Sequence, residues 1–166
     1  MTDDARTDHT SDPRPATQRH NIAQYNIARL LAPLDDPLLA DFVRDLDRIN
    51  GLGDASPGFV WRLKTADGTS TSVRIRGDER LIVNYTVWSS IEALHEFTFR
   101  SAHVEVYRRR REWFELLETP FAVLWWIPSG HVPDIPEAEA RLDHLIEHGP
   151  TAHAFTFKQR FPAPSE

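Results

Sequence analysis

The 166-residue chain carries 25 acidic and 19 basic side chains, a net charge of −6, no cysteine, and 40% hydrophobic residues. The acidic balance excludes the clustered basic footprint that a phosphate backbone requires, and the missing thiols exclude disulfides, thiolate nucleophiles, iron–sulfur clusters and Cys-ligated zinc. No apolar run approaches the ~18 residues of a membrane span. The expectation is one soluble, cytoplasmic domain with neither nucleic acid nor membrane as partner.

Residues 1–19 mix both charges with Pro, Thr and Ser and hold almost no large apolar side chain, so a disordered tail is expected there, and a single domain over 20–161. From Asn21 to Ala28 a period of two predicts a strand, with Ala23, Tyr25 and Ile27 on one face and Ile22, Gln24 and Asn26 on the other. Asp36-Pro37 reads as a helix start, and Leu38, Leu39, Phe42, Val43, Leu46 and Ile49 recur at helical spacing before Gly51. Phe59 to Leu63 and Val73 to Arg76 alternate about an Asp67-Gly68 loop, as a hairpin does, and Leu81 to Trp88 predicts a further strand. Ser89 and Glu92 form a capping box for a helix that breaks near residues 98–101, because Ile91 and Leu94 fall off the stripe of Phe99, Val106, Trp113, Phe114 and Leu117. FAVLWWI, residues 121–127, is apolar on both faces and predicts an interior strand, followed by a helix over 136–148 and a last strand over 153–161. The order β-α-β-β-α-β with an extra C-terminal helix and strand is that of a ferredoxin-like α+β sandwich, whose helices cover one face of an antiparallel sheet. A bare second face rich in tryptophan predicts a homodimer closed sheet to sheet.

On the helix after the break, His103 and Arg110 fall within about 60° of Val106, inside the apolar stripe. A buried guanidinium needs an anion or carbonyls, and a buried imidazole carries protons or binds metal where substrate reaches it. Arg108, Arg109 and Arg111 read as a solvent face paired with Glu105, Glu112 and Glu115 rather than a nucleic-acid patch. His144, Glu147 and His148 spell H-x-x-E-H but occupy an exposed last turn, so no metal site is expected. His131, in a loop between prolines, is a candidate for a pocket mouth.

SPGFVWRL (56–63), VWSSIEALHEF (87–97), the stretch from His103 ending RREWF, VLWWIPSGHVP (123–133), EAEARLDHL (137–145) and GPTAHAFTF (149–157) together resemble the bacterial family catalogued as domain of unknown function 3291. That resemblance implies the dimeric α+β barrel superfamily, in which antibiotic-biosynthesis monooxygenase-like members oxidise aromatic polyketides without a cofactor. Related haem-degrading members use a first-strand Asn, a helix Trp and a helix His; Asn26 and His103 resemble two of these, and Phe97 stands nearest the third. The reading is then an oxidoreductase of monooxygenase type, cofactor-independent with haem as the alternative, acting on a small hydrophobic or aromatic molecule. His103, Asn26 and Arg110 are its catalytic candidates, and Gln24, Trp61, Trp88, Phe97, Trp126 and His131 its pocket. The competing reading is a dimeric barrel that binds without catalysis.

Overall fold

The computed structural model describes residues 20–165, and the tail expected over 1–19 lies outside them. Four strands, β1 (His20–Arg29), β2 (Phe59–Arg62), β3 (Leu81–Trp88) and β4 (Ala122–Pro128), form one antiparallel sheet in the order β2-β3-β1-β4. This is the ferredoxin-like arrangement expected, with the first and third strands in the middle. β4 therefore lies toward an edge rather than in the interior, and its apolar double face is explained by cover above and below. Among the described residues its outer backbone pairs at one point only, where Leu124 and Phe155 exchange hydrogen bonds of 2.8 and 2.9 Å. That single bridge replaces the strand expected over 153–161. The second arm of the expected hairpin is likewise absent: Val73 to Arg76 lies in an irregular segment whose one bridge joins Ile75 to Asp78.

Helices α1 (Ala40–Asp54), α2 (Ile91–Arg100) and α3 (His103–Arg109) pack on the sheet face that carries Ile22, Ile82, Leu124 and Trp88. Asp36 accepts from Leu38 N and caps a short turn, Pro37–Leu39, that leads into α1, and α1 runs through Gly51 to Asp54. The cap of α2 is Ser90, one residue beyond the expected Ser89, with Oγ accepting from Ala93 N at 3.1 Å. The predicted break is present, but the helix beyond it is short: α3 ends at Arg109 in a tight turn over Arg110–Glu112. Trp113 is fully buried just past that turn, whereas every residue of α3 keeps part of its surface exposed.

Helix α4 (Ile135–His148) corrects the expectation of helices on one face only. Asp134 caps it, Gly149 ends it at φ 72°, and Ala138, Leu142 and Leu145 press onto Ala23, Tyr25, Val83, Tyr85, Val123 and Trp125. The face that was expected to await a second subunit is thus sealed by the chain's own C-terminal helix. The sheet lies between two helical layers.

Candidate functional site

On the face under α1–α3 the sheet changes character halfway along β1 and β3. The cross-strand pairs at either end are apolar, Ile22 with Trp88 and Ala28 with Ile82, while those between are Gln24 with Thr86 and Asn26 with Asn84. Gln24 and Thr86 are 9% and 7% exposed, and Thr86 Oγ1 donates to Gln24 Oε1 at 3.0 Å. Gln24 Nε2 donates to Asn26 Oδ1 at 2.7 Å, and that oxygen also accepts from Asn84 Nδ2 at 3.2 Å. These bonds consume Asn26 Oδ1 and leave Asn26 Nδ2 and Asn84 Oδ1, a donor beside an acceptor, without a protein partner among the described residues. Asn26 is half-buried and Asn84 exposed, so both meet whatever enters between the helices. The strip is polar but uncharged.

Aromatic rings wall its end. Trp88, fully buried, stacks on Phe97 at 5.0 Å and 28° and meets the Phe59 ring edge-on at 5.5 Å. Phe97 lies 5.0 Å from the His103 ring in turn. His103 Nδ1 is 3.3 Å from the Thr98 carbonyl, so with its proton on Nδ1 the ring donates there and keeps Nε2 as its basic atom. Burial pushes the His103 pKa below the ordinary histidine value, so the imidazole is neutral near pH 7. Outside Phe97 opens a recess of about 370 Å³ lined by Pro57, Gly58, Ser89, Ala93, Phe97 and Ser101. Gly58 has φ +81°, and a Cβ there would lie 2.5 Å from Ala93 Cβ, so the recess floor requires glycine.

Asn26, Gln24, Trp88, Phe97 and His103 are therefore on one side of the sheet, and Trp126 shares that face, with its Nε1 donating to the Phe161 carbonyl at 2.8 Å. Three other candidates are not in this group. Arg110 is half-exposed: its guanidinium lies 4.2 Å over the Tyr107 ring and donates to the Tyr107 carbonyl at 2.8 Å, because the helix ends before Arg110 can turn inward. Trp61 packs edge-on to Tyr85 at 5.4 Å in the core under α4. His131 bonds Glu137 Oε2 at 2.7 Å, and Glu137 Oε1 accepts from Trp125 Nε1 at 2.9 Å, also on the α4 side. Of the expected pairs along the arginine run, Arg109 meets Glu112 at 2.8 Å and Asp41 at 3.0 Å, whereas Glu115 holds Arg29 at 2.7 Å instead.

With Phe97 in place against the His103 ring, itself stacked on Trp88, that side of the imidazole has no open approach for haem. At the other end of the chain the His144 ring lies 4.6 Å from His148 and 4.8 Å from His153, and His144 Nε2 is 2.9 Å from Thr151 Oγ1. Among the described residues no group of three His, Cys, Asp or Glu side chains is arranged to hold a metal ion.

Solved structures of similar shape include SnoaB, a cofactor-independent oxygenase from Streptomyces nogalater, at 16% identity over 70% of this chain and 97% of that one, TM-score 0.44. PA3566 from Pseudomonas aeruginosa is similar at 11% identity over 69% and 98%, TM-score 0.47. A putative antibiotic biosynthesis monooxygenase from Nitrosomonas europaea is similar at 12% identity over 70% and 96%, TM-score 0.42. No curated protein matches the sequence. The model of one family covers residues 21–166, and the chain belongs to that family, Domain of unknown function (DUF3291).

Proposed function

We propose that the protein binds a small, mostly apolar molecule with one hydrogen-bonding oxygen over the Asn26–Asn84 strip, and that its chemistry is a cofactor-independent, monooxygenase-type oxidation. The observation that carries this is the uncharged donor–acceptor pair, Asn26 Nδ2 and Asn84 Oδ1, open to solvent between apolar ends of the sheet. Neutral His103 supplies a base: Nε2 takes the proton from a phenolic or enolic substrate, and Asn26 Nδ2 donates to the oxygen on which charge develops. The resulting carbanion, at a carbon that keeps one hydrogen, passes its electrons to dioxygen and forms a C–O bond, and the peroxide anion takes the proton back from His103. The hydroperoxide then loses that carbon's hydrogen and its outer oxygen as water, leaving a carbonyl. Oxygen uptake with a tricyclic anthrone as probe tests this, and His103→Ala is expected to lower the rate by about 10²-fold or more, the scale of a lost general base. Uptake equal to the buffer control, or unchanged in His103→Ala, removes the catalytic reading.

A second reading, binding without turnover, is favoured by the placement of Arg110 outside the site. It predicts probe binding that Asn26→Ala weakens, with no oxygen consumed. A homodimer and a cytoplasmic location belong to the proposal as well. The site needs no second subunit, so sedimentation of a monomer removes the dimer and leaves the site intact. No helix among the described residues is long and apolar enough to cross a membrane.

A further inference from the structure

We propose that Phe97 is a gate, and that a flat aromatic ring takes its place beside Trp88 and His103. This rests on the reading of the helix-facing site given above and adds the class of molecule and its route of entry. Phe97 occupies a slot one ring wide, 5.0 Å from Trp88 at 28° and 5.0 Å from His103 at 39°. The wall toward α1 is Gly53, where a Cβ would sit 3.4 Å from Phe97 Cζ, so α1 meets the ring at van der Waals distance. Trp88 Nε1 is buried with no hydrogen-bond partner among the described residues. A buried donor left unmade is unfavourable, which lowers the cost of rearranging the packing around Trp88.

The ring is also the partition between that slot and the open recess, since Phe97 lines the recess from inside. The segment that carries it is weakly fixed by the helix ladder. Thr98 Oγ1 donates back to the Leu94 carbonyl at 2.8 Å and Ser101 Oγ to the Phe97 carbonyl at 2.5 Å, bonds that loosen and bend a helix end. Ser101 itself is extended, and α3 beyond it keeps part of every residue exposed. The last turn of α2 is thus the element of this face that swings at least cost. Once Phe97 leaves, the recess and the slot become one pocket ending at Trp88. A slot of stacked rings selects a planar guest over a saturated one.

Equilibrium dialysis of 2-naphthol and of its saturated analogue, decahydro-2-naphthol, tests the gate. Phe97→Ala removes the internal competitor and is expected to bind 2-naphthol about tenfold tighter than wild type, as when a state populated at ~10% becomes dominant. No such gain is expected for decahydro-2-naphthol. Gly53→Ala, which sets a methyl against the ring without disturbing α1, is expected to weaken 2-naphthol binding several-fold. Equal affinity of wild type and Phe97→Ala, an equal gain for the saturated analogue, or absence of 2-naphthol binding in Phe97→Ala overturns the gate. Where circular dichroism shows Phe97→Ala unfolded, unchanged binding in Gly53→Ala overturns it instead. The two readings fail separately: an inert Asn26→Ala with an active Phe97→Ala removes the strip and keeps the gate, and the reverse pattern removes the gate alone.

Discussion

The two faces of the sheet are made by the same strands and differ in one respect. Under α4 the rings of Tyr25, Trp61, Tyr85 and Trp125 meet one another at 5.4–5.6 Å, and polar atoms at the rim are paired to the helix. Tyr25 Oη donates to Glu139 at 2.5 Å, Trp125 Nε1 to Glu137 at 2.9 Å, and Arg76 to Glu139 at 2.6 Å. Burial, with Glu137 and Asp134 adding to it, raises the Tyr85 pKa and keeps that hydroxyl protonated, the one core hydroxyl of this face without a partner among the described residues. Under α1–α3 the apolar contacts form two separate clusters, and an amide strip with spare hydrogen-bonding capacity lies between them. Sealing belongs to the first face and recognition to the second.

The largest expected effect falls on the sealed face. Trp125→Ala should cost about 3–5 kcal/mol in urea unfolding, the range for a buried large aromatic. A loss below about 1 kcal/mol would mean that α4 is loosely seated. Gln24→Ala, at the floor of the other face, should cost about 1–3 kcal/mol, because it strips a partner from the buried Thr86 hydroxyl. Glu139→Gln weakens the tie between α4 and both Tyr25 and Arg76, and should cost about 1 kcal/mol by the same measurement.

The smallest effect is one of pH. The His103 pKa is lower in the folded chain than its ordinary value, so the unfolded chain binds more protons as the medium acidifies. Its stabilising contribution is complete above about pH 6.5 and is lost as pH falls through the folded value. The thermal midpoint should drop between pH 7 and 5, and His103→Phe should flatten that slope. Some slope should persist, because burial, with Arg141 and His144 adding to it, also holds His153 low. A slope identical to wild type would place His103 in solvent.

How far the residues announced this arrangement depends on the range of the forces involved. The strand of Asn26 and the helix break before His103 are set by local periodicity, and both stand where the pattern put them. Asn84 and Thr86 were visible only as the mixed side of an alternating strand. Their meeting with Asn26 and Gln24 follows from strand register, which no local pattern states. The helical wheel carried Arg110 inward by continuing the helix through Leu117, and the turn at Arg110–Glu112 undoes that assumption. The C-terminal helix was correctly placed in sequence, but its amphipathic stripe does not say which face it covers. A bare sheet surface inferred from composition was already occupied by Leu142 and Leu145.

The division of labour between the faces is tested most directly by Asn26→Ala combined with Asn84→Ala, with urea unfolding and 2-naphthol dialysis on the same preparation. The account predicts stability within about 1 kcal/mol of wild type, as for partly exposed polar groups, and binding weakened at least about tenfold. Unchanged binding in a folded double variant would contradict it.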